Sequence, residues 1–181
     1  MRRLAVLVCA LLLTTVIAAP ASASKPIVYL DDDFAFEVLV EPGWGWFDCG
    51  FDVIYGGAGH ESYKEWTDKV GYPVKGLYQV QGIDYFYAEA DPDNLVSGKF
   101  RLSSHLSDFI EVEPGLFEWD ERVTGKFWGI TLPGSGPVFH EAGQIWQHVR
   151  AEEPEWVYTR LEQVGISVFD DDALCAALDP S

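Results

Sequence analysis

Three observations predict an all-β, antiparallel fold with one short C-terminal helix. Runs rich in Val, Ile, Phe, Tyr and Trp alternate with polar residues. Gly, Pro, Asn and Asp signals break these runs at short intervals. No helical segments of roughly 10–15 residues separate them, so parallel crossover units are disfavoured. The pattern predicts about nine or ten short strands, arranged as an antiparallel barrel (lipocalin-like) or as a sandwich.

The first residues read as a secretory signal peptide. Arg2 and Arg3 are its basic start, Leu4 to Ala19 is apolar apart from Thr14 and Thr15, and Ala21-Ser22-Ala23 fits the small-x-small cleavage pattern. Cleavage is expected after Ala23, with Ala21 as the alternative. The apolar run is shorter than the ~20 residues a spanning helix needs. No second long run follows, so stable membrane insertion is not expected once the signal is removed. Residues 1–23 are therefore assigned to the signal peptide and 24–48 to an N-terminal arm and first strand. Residues 49–181 are assigned to a disulfide-closed β domain that forms a single globular unit with 24–48.

Within that unit, Pro26 to Leu30 is a short strand or arm, interrupted by Asp31-Asp32-Asp33. Phe34 to Val40 is a strand ended by Pro42-Gly43. Phe51, Val53 and Tyr55 share one face of the next strand, and Gly56-Gly57-Ala58-Gly59 reads as a flexible hairpin tip. This glycine run lacks the Gly-Lys-Ser/Thr ending of a phosphate loop. Lys75 to Gln81 and Ile83 to Ala90 are two β-rich runs, and Asp91-Pro92-Asp93-Asn94 is a turn. Lys99 to Ile110 alternates, with Phe100, Leu102 and Leu106 against Arg101, Ser103 and His105. After Pro114-Gly115, Phe117, Trp119, Glu121 and Val123 alternate with Leu116, Glu118, Asp120 and Arg122. Thr124-Gly125 marks a turn or bulge before a strand over Lys126 to Leu132. The loop Pro133 to Pro137 precedes a strand over Val138 to Val149, and Glu152-Glu153-Pro154 breaks the chain again. Two further strands cover Trp156 to Val164 and Gly165 to Phe169. Asp171 or Asp172 then caps a helix over Ala173 to Leu178.

Charge excludes some function classes. The chain carries 12 basic and 29 acidic residues, a formal net charge of −17, and losing Arg2 and Arg3 makes it more acidic still. Nucleic acid and anionic membranes need a basic surface. At 48% hydrophobic and 14% aromatic residues, the composition forms a core rather than a disordered chain.

Cysteine usage is informative. Cys9 falls in the signal peptide, leaving Cys49 and Cys175 as two thiols in an oxidising compartment, where a bridge is expected. His140 and His148 are eight residues apart, ~26 Å along a strand, so they do not share a metal. Asp91-Pro92-Asp93-Asn94 lacks the EF-hand spacing. Neither a metal site nor a cofactor is expected. Paired carboxylates among Glu111, Glu113, Glu118 and Asp120, or Glu37 and Glu41, are the raw material of a glycoside hydrolase, which needs separations of ~5–5.5 or ~6.5–9.5 Å. With so many acids, proximity alone does not mark a catalytic pair. There is no Gly-x-Ser-x-Gly elbow, and no catalytic residue is assigned.

Seven tryptophans remain as the outstanding signal. Trp44, Trp46, Trp119, Trp128 and Trp146 are the candidate ligand-binding residues, since exposed rings hold sugars and inward rings hold apolar ligands. Their alternative role is core packing. Trp44 and Trp46, in a Pro-Gly-rich loop, are the least core-like.

The stretch Cys49-Gly50-Phe51-Asp52-Val53, the end Leu174-Cys175-Ala176-Ala177-Leu178 and the segment Gly134 to Ile145 between them resemble a family of small secreted bacterial β-rich proteins of unassigned function. Gln144 departs from the basic residue common at its position. The resemblance implies secretion, β architecture and the bridge, and it carries no chemistry. The expected function is that of a secreted, extracellular, non-enzymatic domain binding a small apolar or carbohydrate ligand. A carboxylate-dependent glycoside hydrolase and a protein-interaction or inhibitor module are the alternatives.

Overall fold

The structure is a computed structural model that describes residues 25–43, 48–134, 136–152 and 155–180. The signal-peptide assignment and Trp44 and Trp46 lie outside the described residues. Seven strands form one antiparallel sheet in chain order: β1 (Ile27–Val40), β2 (Val53–Thr67), β3 (Pro73–Ala88), β4 (Asp91–Glu113), β5 (Leu116–Leu132), β6 (Gly136–Glu152) and β7 (Glu155–Phe169). One helix follows, α1 (Asp171–Leu178). The all-β class and the closing helix are as expected. The nine or ten short strands are not: the described residues form seven, of 14 to 23 residues each. They make one sheet, whose edges are β1 and β7.

The miscount has a physical origin. Residues expected to end strands lie inside them. Asp31-Asp32-Asp33 stays in the ladder, opposite Ser62, Glu61 and His60. Gly56-Gly57-Ala58-Gly59 is the middle of β2, not a hairpin tip. At Gly56 a side chain would collide with the Tyr85 ring, whose hydroxyl donates to Glu37 across the strand at 3.0 Å. Gly125, Gly143 and Gly165 face one another in register across β5, β6 and β7, at φ of +137°, +149° and +151°. A Cβ at Gly143 or Gly165 would run into the facing carbonyl of Val164 or Ala142. Glycine here bends the sheet without ending its strands. The turn expected at Asp91-Pro92-Asp93-Asn94 sits two residues earlier, at Glu89-Ala90, and Asp91 already begins β4.

The sheet curls around its inner face. Tyr55 of β2 stacks on Phe86 of β3 at 4.9 Å and lies 5.6 Å from Trp128 of β5. Phe86 meets Phe139 of β6 edge-on at 5.7 Å. These strands are not all neighbours, so only a coiled sheet brings the rings together. Val40, Val53, Ile130, Leu132, Val138 and Phe139 join them in a core at one end. The helix covers that end with Leu174 and Leu178, both fully buried. The Asp170 carboxylate caps the helix by accepting from Ala173 N at 3.0 Å, one residue earlier than expected. Asn94 of β4 donates to the Ala177 carbonyl at 2.9 Å. Cys49 and Cys175 form the expected disulfide, their Cα atoms 5.0 Å apart, tying the helix to the segment before β2.

A second, smaller cluster lies at the other end of the strands, built from Leu106, Trp119 and Val149 with Tyr63, Tyr78, Phe109 and Phe117 against it. Both edge strands carry a bulge. Tyr29 is the unpaired residue of β1 and Leu161 that of β7. Such bulges interrupt the ladder an unwanted neighbouring strand would extend. No helix among the described residues is long and apolar enough to cross a membrane.

Candidate functional site

The far end of the inner face holds a cavity of about 720 Å³. Ligand sites commonly measure ~300–1,000 Å³. Strand alternation sets most of its wall. On β2, Tyr63 and Glu65 are two residues apart and share the inner face. Tyr78 of β3 stands opposite Tyr63 in the ladder. Between Tyr63 and Leu106 lies Gly76, where a side chain would crowd both. Phe117, Trp119 and Glu121 alternate along β5, and Tyr158 of β7 and Leu30 of β1 also line the hollow.

One wall residue depends on an irregularity. Between the pairs Ser107–Asp120 and Ile110–Glu118, two residues of β4 oppose one residue of β5. Asp108 takes φ +55° at this bulge, a conformation Asp tolerates better than most residues. The extra residue turns Phe109 inward, where it stacks on Trp119 at 5.9 Å.

The charged groups of the cavity wall, Glu65 and Glu121, are acidic. Glu65 accepts hydrogen bonds from the Tyr63 hydroxyl at 3.0 Å and the Tyr29 hydroxyl at 3.2 Å. Glu121 accepts from the Ser104 hydroxyl and from Gln147 Nε2, the latter at 2.6 Å. Beside them, Tyr78 donates to Glu61 at 2.6 Å. Burial pushes the Tyr63 and Tyr78 hydroxyls well above the usual phenol range, and their carboxylate partners push further in the same direction. Tyr158 is raised by burial and by the charge of Glu121. Among the described residues no Lys, Arg or His lines the cavity.

The five candidate tryptophans separate. Trp119, 5% exposed, is the back wall of the cavity. Trp128 packs in the helix-capped core against Tyr55, Phe86 and Phe139. Trp146 sits on the outer face with the Arg122 guanidinium 5.1 Å over its ring. Trp44 and Trp46 lie outside the described residues. Tyrosine and phenylalanine supply most of the wall, and attention to tryptophan alone missed Tyr63, Tyr78, Phe109, Phe117, Tyr158 and both glutamates. The signal for some was present, since Phe117, Trp119 and Glu121 share a face by alternation.

The carboxylate pairs considered for hydrolysis lie elsewhere. Glu118 and Asp120 face outward to His148, at 3.5 and 2.9 Å, and Glu118 also meets Arg150 at 3.4 Å. Glu111 accepts from the Gly115 amide in the β4–β5 turn. Glu37 accepts from Tyr85 and Tyr87. His60 sits between Asp31 and Asp33, at 3.0 and 2.9 Å. Among the described residues no group of three His, Cys, Asp or Glu side chains is placed to hold a metal ion. Comparison of the chain with protein-family models, curated proteins and solved structures yields no match.

Proposed function

We propose that this chain is a secreted, non-enzymatic domain that binds a small, largely apolar ligand in the aromatic cavity at the far end of its sheet. The observation that carries this is the cavity itself: about 720 Å³, walled by Tyr63, Tyr78, Leu106, Phe109, Phe117 and Trp119. A well-formed apolar hollow with few polar groups is the usual form of a small-molecule site. Leu30 of β1 and Tyr158 of β7 line it together. The two edge strands thus come round to one hollow, which supports a lipocalin-like barrel left without hydrogen-bonded closure. The disulfide supports export to an oxidising compartment.

A sugar-binding face draws less support. Trp119, Trp128 and Trp146 fall in a cavity, a core and the outer face, not in a row. Hydrolysis draws less as well. Each cavity glutamate is already engaged at both oxygens by protein donors, which suits a fixed acceptor better than a group that trades protons with substrate.

The test is titration of the purified protein with neutral aromatic hydrocarbons of one or two rings, followed by tryptophan emission, beside native mass spectrometry of protein from its own producer. Saturable binding that the added bulk of Leu106→Trp abolishes is expected. Folded protein that binds none of these probes and carries no retained ligand would overturn the proposal.

A further inference from the structure

We infer that the cavity selects ligands bearing an organic ammonium group on an apolar body, over their neutral and anionic counterparts. This rests on the proposal that the cavity is a ligand site and names the class of ligand. Two independent features of the lining point the same way. Its walls are ring-rich, with Tyr63, Tyr78, Phe109, Phe117, Trp119 and Tyr158 drawn from five strands. Aromatic faces attract ammonium groups through their quadrupole, most strongly where water is excluded. Its charged members are both acids, Glu65 and Glu121.

Among the described residues no ion pair reaches either acid. Each is held by neutral donors only: two tyrosine hydroxyls for Glu65, and a serine hydroxyl and a glutamine amide for Glu121. Some acids outside the cavity meet bases, as Glu118 meets Arg150 and His148, and Asp31 and Asp33 meet His60, while Glu37, like Glu65, is held by two tyrosine hydroxyls. A pocket for hydrocarbon alone gains nothing from two carboxylates in its wall, whereas a carboxylate gains a charge-assisted contact from a cationic partner within reach. A cationic ligand is that partner. Burial, and after it the charge of Glu121, raises the Tyr158 hydroxyl above its ordinary value. An anionic ligand would meet the two carboxylates and no base. The acidity of the chain as a whole draws cations toward the mouth.

The experiment compares three probes of one shape: benzyltrimethylammonium, its neutral carbon isostere neopentylbenzene, and an aryl carboxylate of similar size. Affinities are measured by tryptophan emission and calorimetry on the full mature chain. The cation is expected to bind at least tenfold more tightly than the neutral isostere, and the carboxylate not at all. Glu65→Gln and Glu121→Gln keep the shape and the acceptor oxygen. Each is expected to reduce the cation's advantage over the neutral isostere severalfold, with an unchanged circular dichroism spectrum showing that the variant is folded. Asp93→Asn, an equal charge change on an exposed residue outside the cavity, should leave the selectivity intact. Equal binding of cation and isostere overturns this inference and leaves the cavity as an apolar site. Selectivity lost as readily through Asp93→Asn as through Glu121→Gln reduces it to general attraction and overturns it as well. Binding of none of the three, by folded protein, removes the proposed function too.

Discussion

The two ends of one sheet obey the same alternation and reach opposite results. At the helix-capped end, inward residues fill the space. Phe86, Ile130, Leu174 and Leu178 are completely buried, and a disulfide, a helix cap and the Asn94 hydrogen bond hold the lid in place. At the far end the same kind of inward row leaves a hollow, and bracing comes from outer-face ion pairs around His148. The glycine row Gly125–Gly143–Gly165 crosses β5, β6 and β7 between the two. If the cavity is the ligand site as proposed, the covalent tie and most of the fully buried side chains sit at the end away from it. On that proposal the cavity end is the one expected to open first, as binding regions commonly do.

The largest test removes the lid's covalent tie. Replacing both Cys49 and Cys175 by Ser opens a link across 126 residues. The chain-entropy argument puts the loss at ~5 kcal/mol as an upper guide. Denaturant unfolding should show the lowered midpoint. If stability and binding are divided between the ends as described, probe affinity per folded molecule stays unchanged. A matching loss of affinity in protein that is still folded would break the division.

Next comes packing. Leu178→Ala removes a fully buried side chain of the lid, at a cost of ~2–5 kcal/mol. Tyr158→Ala removes a half-exposed cavity wall and should cost less than ~1 kcal/mol. The ligand should notice the second change and not the first. Thermal melts and probe titrations on the two variants measure both quantities. The same order of effects for stability and binding would contradict the comparison.

Between the ends lies a buried carboxyl. Asp84 is 6% exposed and accepts from the Tyr55 hydroxyl at 3.2 Å. Burial raises its pKa to about 6, against the ordinary value of 3.8, although the Tyr55 hydrogen bond works the other way. The native state therefore binds the proton more tightly than the unfolded chain. Stability falls as pH rises from about 4 through about 6, and the cost is fully present above that window. At one pKa unit per 1.36 kcal/mol the cost is ~3 kcal/mol. Asp84→Asn should flatten this part of the pH profile and stabilise the protein at pH 7. An unchanged slope in chemical denaturation between pH 4 and 7 would assign it to another group.

Much of this was legible beforehand. The expectation of export made the bridge readable from two cysteines. Strict alternation placed Phe100, Leu102 and Leu106, and later Phe117, Trp119 and Glu121, on common faces. The strand count was not legible, because glycine inside a strand and glycine in a turn look alike without knowing which atoms approach. Gly143 and Gly165 explain themselves only once they face one another in register. Bulges hid further residues. The ladder pairs Lys126 with Ala142 and Trp128 with Glu141, leaving Phe127 without an opposite. This one-residue shift puts Trp128 into the capped core, where plain alternation from Val123 and Gly125 would send Phe127. The shift at Asp108 does the same for Phe109 at the cavity. A period of two carries no information about where an extra residue is inserted.

The smallest expected effect concerns the bracing of the far end. The Asp120 hydrogen bond, helped by Glu118, raises His148 above the ordinary histidine pKa, while desolvation opposes the shift. The protonated ring is thus favoured in the native state. Its stabilisation is complete below about pH 6.5 and is lost as pH rises through the raised value. The side chain is 38% exposed, so solvent screens the pair and the whole contribution is under ~1 kcal/mol. Global unfolding will scarcely register it. Local opening will, because His148 lies opposite Asp120 and Thr159, one residue from Val149 behind the cavity. Amide exchange at fixed intrinsic rate should show β5, β6 and β7 opening more readily at that end when the ring is neutral, with the lid around Leu174 unaffected. Asp120→Asn should lower the His148 titration seen by NMR and reproduce the high-pH opening already at pH 6. Exchange that rises equally at both ends would mean that the sheet opens as one unit, with the glycine row no boundary.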